Sequence, residues 1–369
     1  MDKVLILSCS TGEGHNSAAR AIHALLEEKG IFSQITDPVA FQSQRMEHLV
    51  SALYNDTIRR HPQAFGAVYK LGNLYSKSRL PSPVYWANAH YSGALKDYIE
   101  ENQFTAVICT HLYGMEAMTA LRKHDDFKVP CYGVLTDYTS IPFLSETRLD
   151  GFFVPTEDIR QHLIDQGMDA DTVFVSGIPV NESFRIRPSM ADARDQLEIA
   201  PDQKVFLVMT GGVGCENMEG LCEKLMENLP QKGLILVLTG NNAKLKTRLD
   251  EKYEKLGTLR TVSFTRQVSL YMAAADVLLS KPGGLSTTEA AVANVPIVHI
   301  HAIPGCETCN ARYFSEHGMS LWAQNDQEAV IYATALACQQ DASQRMKDQQ
   351  RRLIPENATG FIVKKVVGL

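Results

Sequence analysis

Apolar residues along this chain fall in short, unbroken runs. VLILS (4–8), AVICT (106–110), CYGVLTD (131–137), GFFVPT (151–156) and VFVSGIP (173–179) have strand length and no polar alternation. Such runs predict strands buried on both faces, as in a parallel sheet with crossover helices. After residue 180 the pattern restarts with KVFLVMTGG (204–212), LILVLTG (234–240), LRTVSF (259–264), ADVLLSKPGG (275–284) and PIVHIHA (296–302). The reading is an α/β fold in two halves of similar size, joined by the polar, proline-bearing segment 181–203. No sequence repeat relates the halves; they share only their alternation of elements. The expected domains are residues 1–180 and 181–342, followed by a C-terminal helical segment, 343–369.

Composition narrows the class. At 369 residues, with 45% apolar residues, 21% charged residues and a net charge of −6, the chain reads as a two-domain globular protein without the basic surface of a nucleic-acid binder. The first apolar run is too short for a secretory signal, and no run reaches the ~18 residues of a membrane span, so the expected location is the cytoplasm. Eight scattered cysteines, several inside the strand-like runs, read as reduced core residues.

Chemistry is expected in the loops that follow strands, because open α/β sheets bind ligands at the carboxyl ends of their strands. In SKPGGLSTTEAA (280–291) a strand, a glycine turn and a hydroxyl-rich helix start make an anion site, since a helix N-terminus presents unpaired amides and partial positive charge. Glu289, about one turn inside, has two readings: a carboxylate for the hydroxyls of a ribose, or the third-position partner of Ser286 in a capping box. Two further strand-end loops accompany it, Met209–Gly214 and His301–Asn310. Cys306 and Cys309 lack the companion ligands of a zinc site, and His299 and His301 alternate along a strand, facing opposite sides. The glycine spacing of 211–214 does not complete a dinucleotide fingerprint.

Taken in order, SFTRQVSLYMAAADVLL, SKPGGLSTTEAA, VPIV and IPGCETCNARYF resemble the nucleotide-sugar half of MurG-like GT-B glycosyltransferases (family 28). TGEGHNSAARAI, VLTDY and VSGIPV resemble in particular the bacterial diacylglycerol glucosyltransferases and plant monogalactosyldiacylglycerol synthases. The resemblance spans almost the whole chain. It implies two Rossmann-like domains facing across a cleft, and inverting transfer of a hexose from a UDP-sugar to diacylglycerol, without a metal or other cofactor. By position, Glu289 would hold the uridine ribose, and Phe264 and Thr265 the uracil. Gly284, Ser286, Thr287 and Thr288, with Gly211, Gly212 and Gly214, would hold the diphosphate. Gly305, Glu307 and Asn310 would face the sugar. His15 falls on the histidine of the family's N-terminal glycine loop, with Gly12, Gly14 and Asn16 forming the acceptor-side wall.

Inverting transfer needs a base for the acceptor hydroxyl, a task suited to a histidine near its usual pKa of ~6.5. Against this, His15 also fits as a helix-start residue bonding a nearby carbonyl. Asp137 would orient His15 or the acceptor hydroxyl, or would simply cap a strand end. Three departures from the family pattern stand out: Glu13 beside the histidine, Cys306 where relatives commonly have Gln, and Ile141 with Leu144 where lipid glycosyltransferases often carry His and Trp. Glu13 stands to raise the His15 pKa, or points to water.

Residues 45–96 hold seven Lys/Arg against two acids, interleaved with aromatics. The stretch suits an insertion resting on an anionic membrane surface, peripheral to the inner face of the cell membrane, and equally a helix pair covering the sheet. Two other activities share the expected architecture, a UDP-N-acetylglucosamine epimerase and a non-catalytic UDP-sugar-binding protein, and a different lipid-linked or saccharide acceptor is a third variation. The sequence carries no signal of oligomeric state.

Overall fold

The computed structural model describes residues 2–9, 13–42, 71–72, 74–76, 80–123, 127–209 and 217–368. The chain divides into two compact units: Met1–Asn181 with Ile303–Cys306 and Asn357–Leu369, and Glu182–Ala302 with Glu307–Glu356. Each contains a six-stranded parallel sheet among the described residues.

In the first unit the strands are β1 (Lys3–Leu7), β2 (Phe32–Thr36), β3 (Ala106–Cys109), β4 (Cys131–Val134), β5 (Gly151–Val154) and β6 (Val173–Val175), in the order β2-β1-β3-β4-β5-β6. The central strands are buried on both faces, as the continuous apolar runs require. Helix Glu13–Glu28 buries Ala18, Ala19, Ala21, Ile22 and Leu26 at three- and four-residue spacing. That face joins Val4, Ile6, Phe153, Ile362 and Val363 in one core cluster, so the last helix, Ala358–Val367, completes the first unit's core. The expected C-terminal segment is thus divided: helix Gln340–Leu353 belongs to the second unit and Ala358–Val367 to the first.

The second unit holds β7 (Lys204–Met209), β8 (Gly233–Gly240), β9 (Leu259–Ser263), β10 (Val277–Ser280), β11 (Ile297–His299) and β12 (Leu321–Trp322), in the order β12-β11-β10-β7-β8-β9. Its connecting segment is tied to the sheet by a buried ion pair. Arg194, in helix Met190–Gln196, meets Asp276 at 2.8 Å and donates to the carbonyls of Ala274 and Pro201. Asp276 also accepts the Val205 amide at 2.7 Å. Each charge is therefore hydrogen-bonded as well as paired, the condition under which burying it is tolerated.

In each sheet the chain order reverses once, between β1 and β3 and between β7 and β10. Crevices form outside the carboxyl ends of strands at such points. Among the described residues, no helix is long and apolar enough to cross a membrane.

Candidate active site

In the first unit, the carboxyl ends of β1, β3 and β4 bring His15, Thr110, His111, Thr136, Asp137 and Ile141 around one small cavity. His15 sits in the first turn of helix Glu13–Glu28. Its Nδ1 lies 2.8 Å from the Thr110 carbonyl and 2.9 Å from Thr136 Oγ1. A carbonyl can only accept, so Nδ1 carries the proton and Nε2 keeps its lone pair. Burial lowers the His15 pKa, opposed by the bond to Thr110, which holds the ring neutral near pH 7. The ring is thus oriented by Thr110 and Thr136, and Asp137 lines the same cavity.

Glu13 does not act on this ring. It pairs with Arg20 at 2.8 Å, and both side chains are more than half exposed, at 68% and 55%. The charge is spent in water and on a cation, which removes the expected upward pull on His15. Asn16 accepts from Ser8 Oγ at 2.6 Å and braces the end of β1 against the helix. Gly14 lies in the same first turn, whereas Gly12 lies outside the described residues.

The residue that pattern reading passed over is His111. Its ring meets that of His15 edge-on, with centroids 4.7 Å apart and planes at 86°. Its Nδ1 accepts the Tyr113 amide and caps helix Leu112–Leu121, which leaves the proton of the neutral ring on Nε2. Burial, then the neighbouring His15, push its pKa well below the usual value. The only advance signal was its place directly after the run 106–110. Ile141, one of the departures from the family pattern, lines the same cavity, and Leu144 is fully buried.

In the second unit, helix Gly284–Val292 begins after β10 with Gly283 as N-cap and no side-chain cap. Ser286 is therefore a third-position residue inside the helix, and the capping-box reading is set aside. The amides of the first turn have no acceptor within the helix, the feature that suits a helix start to an anion. Ser286 and Glu289, three residues apart, share the half-exposed face. The two threonines do not join them: both are fully buried, Thr287 Oγ1 lies 3.2 Å from His299 Nε2, and Thr288 donates to the Gly284 carbonyl at 2.6 Å. The Thr287 hydroxyl links the helix to β11, and that of Thr288 bonds back within its own helix.

Phe264, immediately after β9, is 65% exposed, and Thr265 Oγ1 accepts the Gln267 amide at 3.0 Å. An aromatic ring left open at a strand end is a stacking surface. Asn310 is buried, and its amide donates to the Pro282 carbonyl at 3.0 Å. That bond braces helix Cys306–Glu316 against the β10 loop. Glu307 is half-buried in the first turn of that helix, and Gly305 has φ +122°, a conformation that favours glycine. His301, at φ +48°, bonds through Nε2 to Asp326 at 2.8 Å, and its buried Nδ1 has no partner among the described residues. Gly211, Gly212 and Gly214 lie outside the described residues, as does most of the stretch 45–96.

Comparison with known proteins agrees with this layout. Residues 15–180 match the model of the monogalactosyldiacylglycerol (MGDG) synthase family, and residues 150–366 that of UDP-N-acetylglucosamine 2-epimerase. The chain is 24% identical to the processive diacylglycerol beta-glucosyltransferase of Bacillus subtilis, over 99% of this chain and 94% of that protein. MurG of Acinetobacter baumannii has the same fold, with a TM-score of 0.67 at 15% identity and full coverage of both chains. So does the UDP-GlcNAc 2-epimerase of Neisseria meningitidis, crystallised with UDP-GlcNAc, at a TM-score of 0.64 and 14% identity over both full chains. The chain therefore belongs to the diacylglycerol glycosyltransferase and monogalactosyldiacylglycerol synthase family of MurG-like GT-B glycosyltransferases, its residues 150–366 carrying the sequence family named for the UDP-N-acetylglucosamine 2-epimerases.

Proposed function

We propose that the protein moves a hexose, glucose or galactose, from its UDP derivative to diacylglycerol with inversion at the anomeric carbon. The observation that carries this reading is His15, held as the Nδ1–H tautomer by Thr110 and Thr136 with Nε2 basic at neutral pH. Nε2 takes the proton of the acceptor hydroxyl as that oxygen bonds to the anomeric carbon. The bond to the diphosphate breaks in the same displacement, its electron pair leaving with UDP. The first-turn amides of Gly284, Leu285 and Ser286 offset the departing charge, so no metal is required. Glu289 accepts the ribose hydroxyls and Phe264 stacks on the uracil. Asp137 orients the acceptor, and His111 donates from Nε2 beside it.

A lipid acceptor is supported by the apolar side chains left in water at Leu71, Leu74, Leu80 and Trp86, each more than 60% exposed. They lie in the expected membrane-facing stretch and would rest on the anionic inner face of the cell membrane. The epimerase-family match of residues 150–366 favours one rival, a hydrolysing epimerase that uses the same donor half and no acceptor.

The test incubates the purified chain with labelled UDP-glucose, UDP-galactose or UDP-N-acetylglucosamine, with and without diacylglycerol vesicles and with EDTA. Label in lipid, unaffected by EDTA, is the expected result. UDP release or epimer formation without lipid overturns the transferase reading, and binding without turnover reduces the chain to a UDP-sugar-binding protein.

A further inference from the structure

The second unit carries a cavity of about 550 Å³ that the donor chemistry does not use. It lies at the amino ends of β10 and β11, beside Ala275 and the turn Ala293–Val295, whereas the donor loops leave the carboxyl ends of the same sheet. The floor is apolar: Met272, Ala273, Ala275, Ala293 and Val295 are all buried. The charged residues that line it are Arg187, Lys347 and Arg351, with no carboxylate among the lining side chains. Three cations and no acid is the reverse of the chain's overall balance of −6.

Two helices, Val268–Ala274 and Gly284–Val292, end at this cavity, and cations at such ends often serve only to satisfy terminal carbonyls. These do not. Arg187 donates to the Phe184 carbonyl at 3.3 Å, away from both helix ends. The Lys347 ammonium has no hydrogen bond or ion pair among the described residues. Arg351 is fixed by the side chains of Asn294 and Asp348, and Asn294 donates to the Lys347 carbonyl at 2.9 Å from a left-handed backbone. One asparagine therefore fixes the Arg351 side and anchors the Lys347 backbone. Burial, chiefly, lowers the Lys347 pKa, with Asp276 opposing it and Arg351, Arg187 and Lys204 adding to it.

We infer that this cavity binds an anionic amphiphile, a phosphate or carboxylate on the Arg187–Lys347–Arg351 rim with its apolar body over the Met272–Val295 floor. Its volume falls within the ~300–1,000 Å³ of small-molecule sites, and the combination of an apolar floor with a cationic rim selects a ligand having both parts. A free amphiphile and a phospholipid headgroup share this chemistry.

The test is calorimetric titration of the full chain with octyl phosphate below its micellar concentration, beside inorganic phosphate and octanol. Octyl phosphate is expected to bind at least tenfold more tightly than either. The pair Lys347→Gln, Arg351→Gln is expected to lose tenfold or more in affinity, Lys347→Arg to retain it, and Glu289→Ala to leave it unchanged; melting curves verify that each variant is folded. Unchanged affinity in the double variant, octanol binding as well as octyl phosphate, or loss in Glu289→Ala overturns the assignment. Co-sedimentation with phosphatidylglycerol vesicles that falls in the double variant identifies the source as a lipid headgroup, and octyl phosphate binding without it identifies a soluble amphiphile.

Discussion

At the scale of single residues, the proposed chemistry rests on one tautomer. His15→Ala is expected to lower kcat on the order of 10²- to 10⁴-fold, the range for loss of a general base, with UDP affinity nearly unchanged by calorimetry. Loss of UDP binding in that variant would make His15 a donor contact. Glu289→Ala should show the opposite split, a UDP affinity about tenfold weaker or more, as for loss of a hydrogen bond to a charged group. The His15 pKa lies below its ordinary value, so the base is intact at pH 7 and is lost only as pH falls through that lowered value. The acid limb of kcat should accordingly appear below pH ~6.5. Thr136→Val, which removes one of the two Nδ1 contacts, should move that limb; an unchanged limb would assign the tautomer to Thr110 alone. His15 was legible in the sequence because it stands in a short motif. Thr110, His111 and Thr136 were not, since the partners of His15 are 95 and 121 residues away and meet it only when β1, β3 and β4 lie side by side.

At the scale of elements, the apolar runs located the interior strands and missed two. β2 (FSQIT) and β12 (Leu321–Trp322) each lie at a sheet edge, where one side needs no neighbour and polar residues are tolerated. A second invisible feature is a buried carboxyl in the first unit, that of Glu116, with the half-buried Glu146 acting on it. Glu116, within helix Leu112–Leu121, accepts from Asn88 at 2.6 Å, and Glu146 accepts the Ser82 amide and hydroxyl at 2.7 and 2.6 Å. Burial, reinforced by Glu146 and opposed by Asn88, raises the Glu116 pKa to about 9. The folded state thus holds a proton that the unfolded state releases above its ordinary pKa of ~4.3. Stability from this group is fully present below that value and declines as pH rises toward 9. Glu116→Gln, which mimics the protonated form, should raise stability by about 1–2 kcal/mol at pH 8 and change little at pH 4, read by denaturant unfolding. Arg194→Met, which strands Asp276 in its buried position, should cost about 3 kcal/mol in the same measurement. A loss under ~1 kcal/mol would mean that Lys204, 3.5 Å from Asp276, takes over the pairing.

At the scale of the whole molecule, the proposed donor and acceptor chemistry belong to separate units, each built on its own sheet. The proposed membrane attachment adds a surface to the first of them. Replacing Leu71, Leu74 and Trp86 by serine should weaken binding to anionic vesicles at least tenfold, since each apolar side chain moved out of water contributes about 1.5–3 kcal/mol when fully buried. Binding should also fall with added salt if the basic residues of 45–96 contribute; Arg59, Arg60, Lys70 and Lys77 all lie outside the described residues. Binding that survives the apolar substitutions and high salt would remove the membrane reading. One placement in the fold reaches into biosynthesis. Because Ile362 and Val363 close the core formed by Val4, Ile22, Leu26 and Phe153, the first unit lacks part of its interior until helix Ala358–Val367 has left the ribosome. The second unit, encoded in the middle, has all its strands earlier. Order of emergence and order of completion are therefore inverted, and a chain stopped before Ala358 should expose the first unit's helix Glu13–Glu28 to chaperones and proteases while its partner unit is already folded.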